Sequence, residues 1–157
     1  MLKKIIVISV IIYSGLFSYV YVYALDKEDD EFYKAVEVYS KGLYKDSTAM
    51  FGNFIDTYPD SLKLYMAKLY LAKSLYFRGD YLKTISLIDG VIASKKARNV
   101  YDEAYYWLAK TYYILGNYNS AFEYASVVVK NYPDSYFLWD VKYLISQIYL
   151  RKNNVTL

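Results

Sequence analysis

Apolar residues recur with a helical period through the middle of the chain. One series in the stretch 69–95 has the three-and-four spacing of a helix face and consists of Leu71, Ala72, Leu75 and Tyr76. A second series with similar spacing consists of Tyr81, Ile85, Ile88 and Ile92. Gly79 and Asp80 lie between the two series, where a glycine can end one helix and an aspartate can cap the next. The pattern therefore predicts a helical hairpin.

The hairpin pattern repeats every 37 residues. The turn glycines keep this interval (79−42 and 116−79), and they are Gly42, Gly79 and Gly116. Small residues recur at two further positions of the period, which are Ala35, Ala72, Ala109 and Ser146, and Ser47, Thr84 and Ala121. Small side chains allow helices to approach closely, so Ala72 and Thr84 are expected to face each other. One hairpin cannot bury its apolar faces alone, so the repeat predicts stacked units.

The repeat divides the chain into three units and a last helix. The units span about 29–61, 62–98 and 99–135, and a capping helix spans about 135–151. Tyr-Pro-Asp-Ser occurs at 58–61 and 132–135, where proline ends a helix and the following polar residues can cap the next one. The second unit has Lys96 in place of the exit proline, which indicates a longer connection. The fold class predicted is an all-α helical-hairpin solenoid.

These features resemble the tetratricopeptide-repeat family. The family pattern is most complete in the third unit, where it is carried by Leu108-Ala109, Tyr112, Gly116-Asn117-Tyr118, Ala121, Val128 and Pro133. The 37-residue period and the Tyr-Pro-Asp-Ser exits are most similar to BamD-type outer-membrane assembly lipoproteins and periplasmic Tol-Pal accessory proteins. The chain has no cysteine, so it departs from the lipoproteins, whose acylation needs one. The resemblance implies a scaffold that binds protein partners.

The resemblance also implies a binding surface. In this family the first helix of each hairpin lines a concave groove for a peptide or protein. The corresponding residues here are Tyr39, Met66, Leu69, Lys73, Tyr76, Phe77, Tyr106, Lys110 and Tyr113. Lys73 and Lys110 can pair with acidic side chains or with the terminal carboxylate of an extended peptide. The alternative for Tyr39, Tyr76 and Tyr113 is that they fill space between units, because tyrosines at helical spacing usually belong to a core.

An unbroken apolar run follows the last exit. It comprises Tyr136, Phe137, Leu138 and Trp139, and one helix cannot bury all four against a single neighbour. Tyr136, Phe137 and Trp139 are therefore a candidate second surface, at the end of the stack, for contact with another chain. The alternative is that the run wraps into the last hairpin.

The N-terminal segment has the pattern of a membrane-targeting sequence. Lys3 and Lys4 precede an uncharged run from Ile5 to Leu25. This pattern predicts that residues 1–24 are a secretory leader, cleaved before Leu25, or a retained membrane anchor. In both cases the domain formed by residues 25–157 is expected outside the cytoplasmic membrane. It would be periplasmic after cleavage, or anchored in the inner membrane and facing outward without it.

The composition argues against catalysis and against nucleic-acid binding. The chain contains no histidine and no cysteine, which removes the commonest general base, thiol nucleophiles and the usual zinc ligands. No metal is expected, because these usual ligands are missing, and no cofactor is expected, because no glycine-rich phosphate loop is present. The net charge of +3 falls to +1 without Lys3 and Lys4 (+3−2), and such a near-neutral body gives little support for nucleic-acid binding.

The sequence therefore predicts a non-catalytic, extracytoplasmic adaptor. It would hold a protein or peptide in its concave groove within a bacterial envelope assembly. The alternative is a membrane-anchored structural subunit that self-associates through the exposed end into a homo-oligomer. Membrane contact is expected only through the N-terminal segment, and only if that segment is uncleaved.

Overall fold

The computed structural model describes residues 15–155, with side chains for residues 27–152, and this part of the chain is helical. Seven α-helices are described there, which are α1 Gly15–Ser40, α2 Tyr44–Thr57, α3 Leu64–Phe77, α4 Tyr81–Ile92, α5 Tyr101–Ile114, α6 Tyr118–Asn131 and α7 Leu138–Val155. A 3-10 helix, Lys95–Val100, connects α4 to α5. The prediction of an all-α helical-hairpin solenoid is confirmed.

Helix packing follows the order of the chain and gives the array a direction of curvature. The hairpins α1–α2, α3–α4 and α5–α6 pack on one another, and α7 packs on α6. The first helices of successive hairpins, α1, α3 and α5, also contact one another, and α5 contacts α7. Within the described helices, no such contact joins α2 to α4 or α4 to α6. The side of the first helices is therefore the shorter, concave side of the array.

Each hairpin turns at a glycine, as predicted. Gly116 has a φ of +75°, a left-handed conformation that residues with a Cβ rarely adopt. The amide of Gly116 donates to the carbonyl of Tyr113 at 3.0 Å, and that of Asn117 donates to the carbonyl of Tyr112 at 2.9 Å. The Asn117 side chain then accepts a hydrogen bond from the amide of Ser120 at 3.1 Å and caps α6. One turn thus ends a helix and starts the next.

Replacing Gly116 with alanine is expected to lower the free energy of unfolding by about 1 kcal/mol, because the left-handed backbone becomes strained. Steric exclusion does not contribute, since a Cβ added there would meet nothing within 4 Å. The matched control is Gly90→Ala within α4, which also has open space but no positive φ. That control is expected to stabilise the protein by about 0.5–1 kcal/mol. Equal changes in urea denaturation for both variants would contradict the assigned role of Gly116.

The buried side chains among the described residues form three clusters along the array. The cluster between α1, α2 and α3 contains Phe32, Ala35, Phe51, Phe54 and Ala67. The middle cluster contains Leu69, Ala72, Ile88, Val91, Ala97, Val100, Ala104, Trp107 and Leu108. The last cluster contains Ala109, Ala121, Ala125, Val128, Val141, Leu144 and Ile148. The first two clusters combine residues of two hairpins, and the last one combines the third hairpin with α7, so burial is complete only in the stack.

The predicted small positions of the hairpins lie inside the array, whereas Ser146 on α7 is exposed. Those of the three hairpins are all fully buried, and they are Ala35, Ala72, Ala109, Ser47, Thr84 and Ala121. The Thr84 hydroxyl donates to the carbonyl of Ala72 at 3.2 Å, so these two residues face each other as expected. The buried hydroxyls of Ser47 and Ser74 are 2.8 Å apart and satisfy each other across α2 and α3. Close approach of the helices therefore does not leave these hydroxyl groups without partners.

The serines of the two Tyr-Pro-Asp-Ser segments tie each exit back to its own hairpin. The Ser61 hydroxyl donates to the Glu28 carboxylate at 2.5 Å, and the Ser135 hydroxyl donates to the Asp102 carboxylate at 2.6 Å. Both carboxylates lie on the first helix of the same hairpin. The second hairpin leaves instead through the 3-10 helix Lys95–Val100, which confirms the predicted longer connection.

Helices α7 and α1 lie at the two ends of the array. Helix α7 begins at Leu138, not at Ser135, because the backbone turns there and the Ser135 hydroxyl accepts a hydrogen bond from the amide of Phe137 at 3.1 Å. Helix α1 begins at Gly15 and runs through the predicted cleavage point before Leu25. Residues 1–14, which make up most of the predicted leader, lie outside the described residues. Among the helices that the structure describes, none has both the length and the apolarity to cross a membrane.

Candidate binding surface

The concave side of α1, α3 and α5, here called the first-helix surface, carries most of the predicted groove residues. Met66 and Phe77 are 38% and 45% exposed. The half-buried members are Tyr39, Tyr76, Tyr106, Lys110 and Tyr113. These seven side chains are at least partly accessible to a ligand, whereas Leu69 and Lys73 are buried.

The placement of Leu69 corrects the expectation that it lines the groove. Its side chain is 1% exposed and belongs to the middle buried cluster with Ile88 and Val91. It points between hairpins, so it cannot contact a ligand on the concave side. Its contribution is to the stability of the stack.

Aromatic rings connect successive first helices along this surface. The ring centroids of Tyr39 and Tyr70 are 5.2 Å apart, and those of Tyr76 and Trp107 are 5.1 Å apart, both with edge-to-face geometry. The tyrosines therefore pack between units and are partly exposed at the same time. The sequence interpretation omitted Tyr70 and Trp107. Tyr70 follows Leu69, Trp107 follows Tyr106, and the two aromatic residues are one period apart (107−70). This repeated aromatic position was the signal that could have identified them.

The charge of Lys73 is compensated within the chain. Its ammonium lies 2.7 Å from the Glu103 carboxylate and 4.2 Å from the centroid of the Tyr70 ring. The indole N–H of Trp107 donates to the same Glu103 oxygen at 3.3 Å. Lys73 is only 9% exposed. It therefore joins α3 to α5, and a ligand carboxylate would have to compete with Glu103 for it.

Lys110 stands in a similar aromatic setting without a close carboxylate. Its ammonium lies 4.3 Å from the centroid of Trp107, and 5.3 Å and 5.4 Å from those of Tyr106 and Tyr76. No ion pair within 4.0 Å involves Lys110 among the residues with described side chains. Burial lowers the pKa of Lys110; the Asp140 carboxylate opposes this shift, and the Lys73 ammonium adds to it. Lys110 is thus a partly desolvated cation, and no carboxylate with a described side chain contacts it.

The repeat explains the difference between the two lysines. Three pairs of residues stand 30 apart at equivalent positions of the period (66−36, 103−73 and 140−110), and they are Val36 and Met66, Lys73 and Glu103, and Lys110 and Asp140. The first pair is apolar and the second is a close ion pair. In the third pair the carboxylate side chain is one methylene shorter, and Asp140 acts on Lys110 without reaching contact distance. Of these two lysines, Lys110 is therefore the one without a carboxylate at contact distance among the described side chains, and an external carboxylate can reach it.

The raised pKa of Tyr106 is expected to make the free energy of unfolding depend on pH. Burial, with smaller contributions from Asp140 and Tyr76, raises the pKa of its phenol from 10.0 to about 12. The unfolded state loses this proton first, so stability falls as the pH rises from about 10 through about 12. Tyr106→Phe is expected to reduce this loss, measured by urea denaturation across that range. Leu82→Ala, at a 78% exposed position, is the control and is expected to leave the pH profile unchanged. Superimposable profiles for the wild type and Tyr106→Phe would contradict the assignment.

The apolar run at the end of the stack divides between the inside and the outside. Tyr136 and Trp139 are 88% and 76% exposed. Phe137 is half-buried and stacks on Tyr106 with ring centroids 5.2 Å apart. Of the three predicted end-surface residues, Phe137 therefore mainly closes the last hairpin, while Tyr136 and Trp139 face solvent.

One hairpin matches a known protein family. Residues 103–135, which form most of α5, all of α6 and the following exit, match the family model described as tetratricopeptide repeat. A search of curated proteins finds no match. Tetratricopeptide repeats are generally non-catalytic, protein-binding scaffolds, and the match therefore suggests a protein-interaction scaffold. The match and the packed helical hairpins together support a tetratricopeptide-repeat protein.

Proposed function

We propose that the chain is a non-catalytic, extracytoplasmic adaptor that holds a protein or peptide segment on its first-helix surface within a bacterial envelope assembly. The observation that carries the proposal is Lys110, a half-buried ammonium framed by Trp107, Tyr76 and Tyr106 without a contacting carboxylate among the described side chains. A carboxylate of the ligand would complete the pair that Glu103 completes for Lys73. A charge-assisted contact in such partly desolvated surroundings is stronger than one in open solvent.

The neighbouring side chains favour a ligand with apolar groups beside its carboxylate. Met66 and Phe77 are partly exposed, and half-buried Tyr39 and Tyr76 add stiff aromatic area with polar tips. Stacked hairpins provide an extended concave surface, which suits an extended segment more than a small molecule. The ligand class proposed is therefore an acidic or C-terminal peptide segment with adjoining apolar residues.

The proposed location is supported by the sequence alone. Lys3 and Lys4 before a long uncharged run favour export across the inner membrane. The 37-residue period and the Tyr-Pro-Asp-Ser exits resemble those of BamD-type and Tol-Pal accessory proteins, which work in the cell envelope. Without a cysteine, attachment through a lipid-modified N-terminus is not available to this chain. Cell fractionation and N-terminal sequencing of the mature protein test this part independently of binding.

Binding is tested by photo-crosslinking in cells that produce the full chain. The photoreactive residue replaces Phe77 on the first-helix surface, and in a control it replaces Leu82, which is 78% exposed on α4. The expected result is capture of a distinct protein from position 77 only. Lys110→Met is expected to reduce this capture, because methionine keeps an unbranched apolar side chain and removes the charge. The matched control Lys83→Met, at an exposed position of α4, is expected to leave it unchanged.

Two outcomes would overturn the proposal. Equal capture of the same protein from positions 77 and 82 would show contact without a preference for the concave side. Undiminished capture in Lys110→Met would show that this cation does not recognise the ligand. Lys73 is unsuitable for the test, because its replacement also breaks the contact with Glu103 and so changes the fold's stability.

A further inference from the structure

The last helix of the array has an apolar outer side. Helix α7 buries Val141 and Ile148 against the stack. On its other side Trp139, Tyr143 and Leu150 are 76%, 67% and 58% exposed. Repeat arrays end in capping elements with polar outer faces, because an apolar end would be open to association. By this criterion the outer side of α7 is open to association with another helix.

The exposed residues of α7 have the spacing of a helix–helix seam. Positions 139, 143, 146 and 150 follow one another at intervals of four, three and four residues, which is the pattern of a coiled-coil stripe. At 3.6 residues per turn these four positions lie within about 60° of one another, opposite Val141 and Ile148. Ser146, the third of these four residues, has a small and exposed side chain. The outer seam, defined as Trp139, Tyr143, Ser146 and Leu150, can therefore receive another helix.

The charges beside the outer seam specify the direction of that helix. Asp140 near the start of α7 and Arg151 near its end are both exposed and lie on the same side of the seam. Arg151 contacts the Tyr113 hydroxyl at 3.4 Å, which keeps it on that side. A parallel copy of α7 would place these charges on the opposite flank of the seam, where Asp140 and Arg151 of the two copies do not meet. An antiparallel copy places each aspartate beside an arginine.

We propose that two copies of this chain pair through antiparallel α7 helices about a twofold axis between Tyr143 and Ser146. Trp139 then faces the partner subunit's Leu150, and Tyr143 faces the partner subunit's Ser146, so that a large side chain meets a small one near the axis. Asp140 lies near the partner subunit's Arg151. The pairing is isologous, because each copy contributes the same surface. It uses the outer side of α7, although Asp140 also acts on Lys110 and Arg151 also contacts Tyr113 on the first-helix surface.

The size of the seam sets the expected affinity. A standard interface buries about 800 Å² on each partner, and a single helix pair buries less. Trp139 and Tyr143 belong to the residue types that contribute most to interface energies. The expected dissociation constant of the dimer is about 1 µM or weaker, so association depends on local concentration.

Cysteine crosslinking of the full chain tests the pairing and its direction. The chain has no cysteine, so one introduced residue reacts without background. Residue 146 of the two copies would differ in height along the axis by about 4.5 Å, and residue 139 by about 16 Å. With a bismaleimide whose reach is shorter than about 16 Å, Ser146→Cys is expected to give a covalent dimer. Trp139→Cys alone is expected to give none, whereas a mixture of Trp139→Cys and Leu150→Cys chains is expected to crosslink.

The control is Glu123→Cys, an exposed position on α6. Self-crosslinking of Trp139→Cys would overturn the antiparallel arrangement. A Ser146→Cys yield no higher than that of Glu123→Cys would overturn pairing through α7. Crosslinking of Ser146→Cys to a different protein in place of a second copy would also overturn the proposal.

A charge exchange provides a second measurement. Asp140→Arg and Arg151→Asp are each expected to weaken dimerisation about tenfold in sedimentation equilibrium, because each places like charges together. The double variant is expected to recover most of the affinity, since the exchanged charges again lie opposite each other. Circular dichroism checks that the helix content is unchanged. A double variant as weak as the single variants would contradict the proposed register.

Discussion

Replacing Phe51 with alanine is expected to lower the free energy of unfolding by about 3–5 kcal/mol. Phe51 is fully buried on α2, and its ring stacks on that of Tyr70 on α3 with centroids 5.2 Å apart. It also meets the ring of Phe32 on α1 at 6.1 Å. The substitution therefore removes apolar area from three helices at once and leaves a cavity between the first and second hairpins.

Urea denaturation followed by far-ultraviolet circular dichroism measures this loss. The repeat supplies a graded comparison, because Ile88 is the equivalent buried residue of the second hairpin (88−51 is one period). Ile88→Val is expected to cost only about 0.5–1.5 kcal/mol. Leu82→Ala, at a 78% exposed position, is expected to stay within about 0.5 kcal/mol of the wild type. A loss for Phe51→Ala no larger than that for Ile88→Val would show that the first hairpin tolerates the cavity by repacking.

Replacing Lys73 with valine is expected to lower the free energy of unfolding by about 2–3 kcal/mol. Breaking a fully buried ion pair costs about 3–5 kcal/mol, because the remaining charge stays desolvated. The Lys73 and Glu103 side chains retain 11% and 23% of their exposure, so water solvates the remaining carboxylate in part and the expected cost is lower. The substitution also removes the contacts of the ammonium with Tyr39, Tyr70 and Trp107.

The chain itself suggests the compensating change. One period earlier the equivalent residues are Val36 and Met66, an apolar pair at the same kind of junction. The double variant Lys73→Val with Glu103→Met is expected to recover most of the stability that Lys73→Val loses. A double-mutant cycle by urea denaturation gives the coupling energy directly. If the two single losses simply add in the double variant, the ion pair does not couple α3 to α5.

The helical hairpins and their turns could be predicted because they depend on local sequence. A glycine such as Gly116, followed by a capping residue and repeated at a fixed interval, specifies a turn whatever lies around it. The buried small positions could also be predicted, since only small side chains permit the helices to approach as closely as at Ala72 and Thr84. These features need no knowledge of how neighbouring hairpins are rotated against each other.

The details of the concave side could not be predicted, because they depend on that rotation. Leu69 lies on the first helix at a position that the family pattern assigns to the groove, yet neighbouring helices cover its side chain in the middle cluster. The contact of Lys73 with Glu103 joins residues 30 positions apart (103−73) on different hairpins, so no local pattern marks it. Lys73 contacts the Glu103 carboxylate, whereas Lys110 does not contact that of Asp140, whose side chain is one methylene group shorter.

The sharing of buried clusters between hairpins has a consequence for cooperativity. The middle cluster combines Leu69 of α3 and Ile88 of α4 with Trp107 and Leu108 of α5. A chain cut after residue 98 would expose the first two of these residues and lose the last two. The hairpins are therefore not separable folding units, although the sequence repeats. Circular dichroism, which reports all helices, and the fluorescence of the nearly buried Trp107, measured in a Trp139→Phe chain, should show one coincident unfolding transition of the described array.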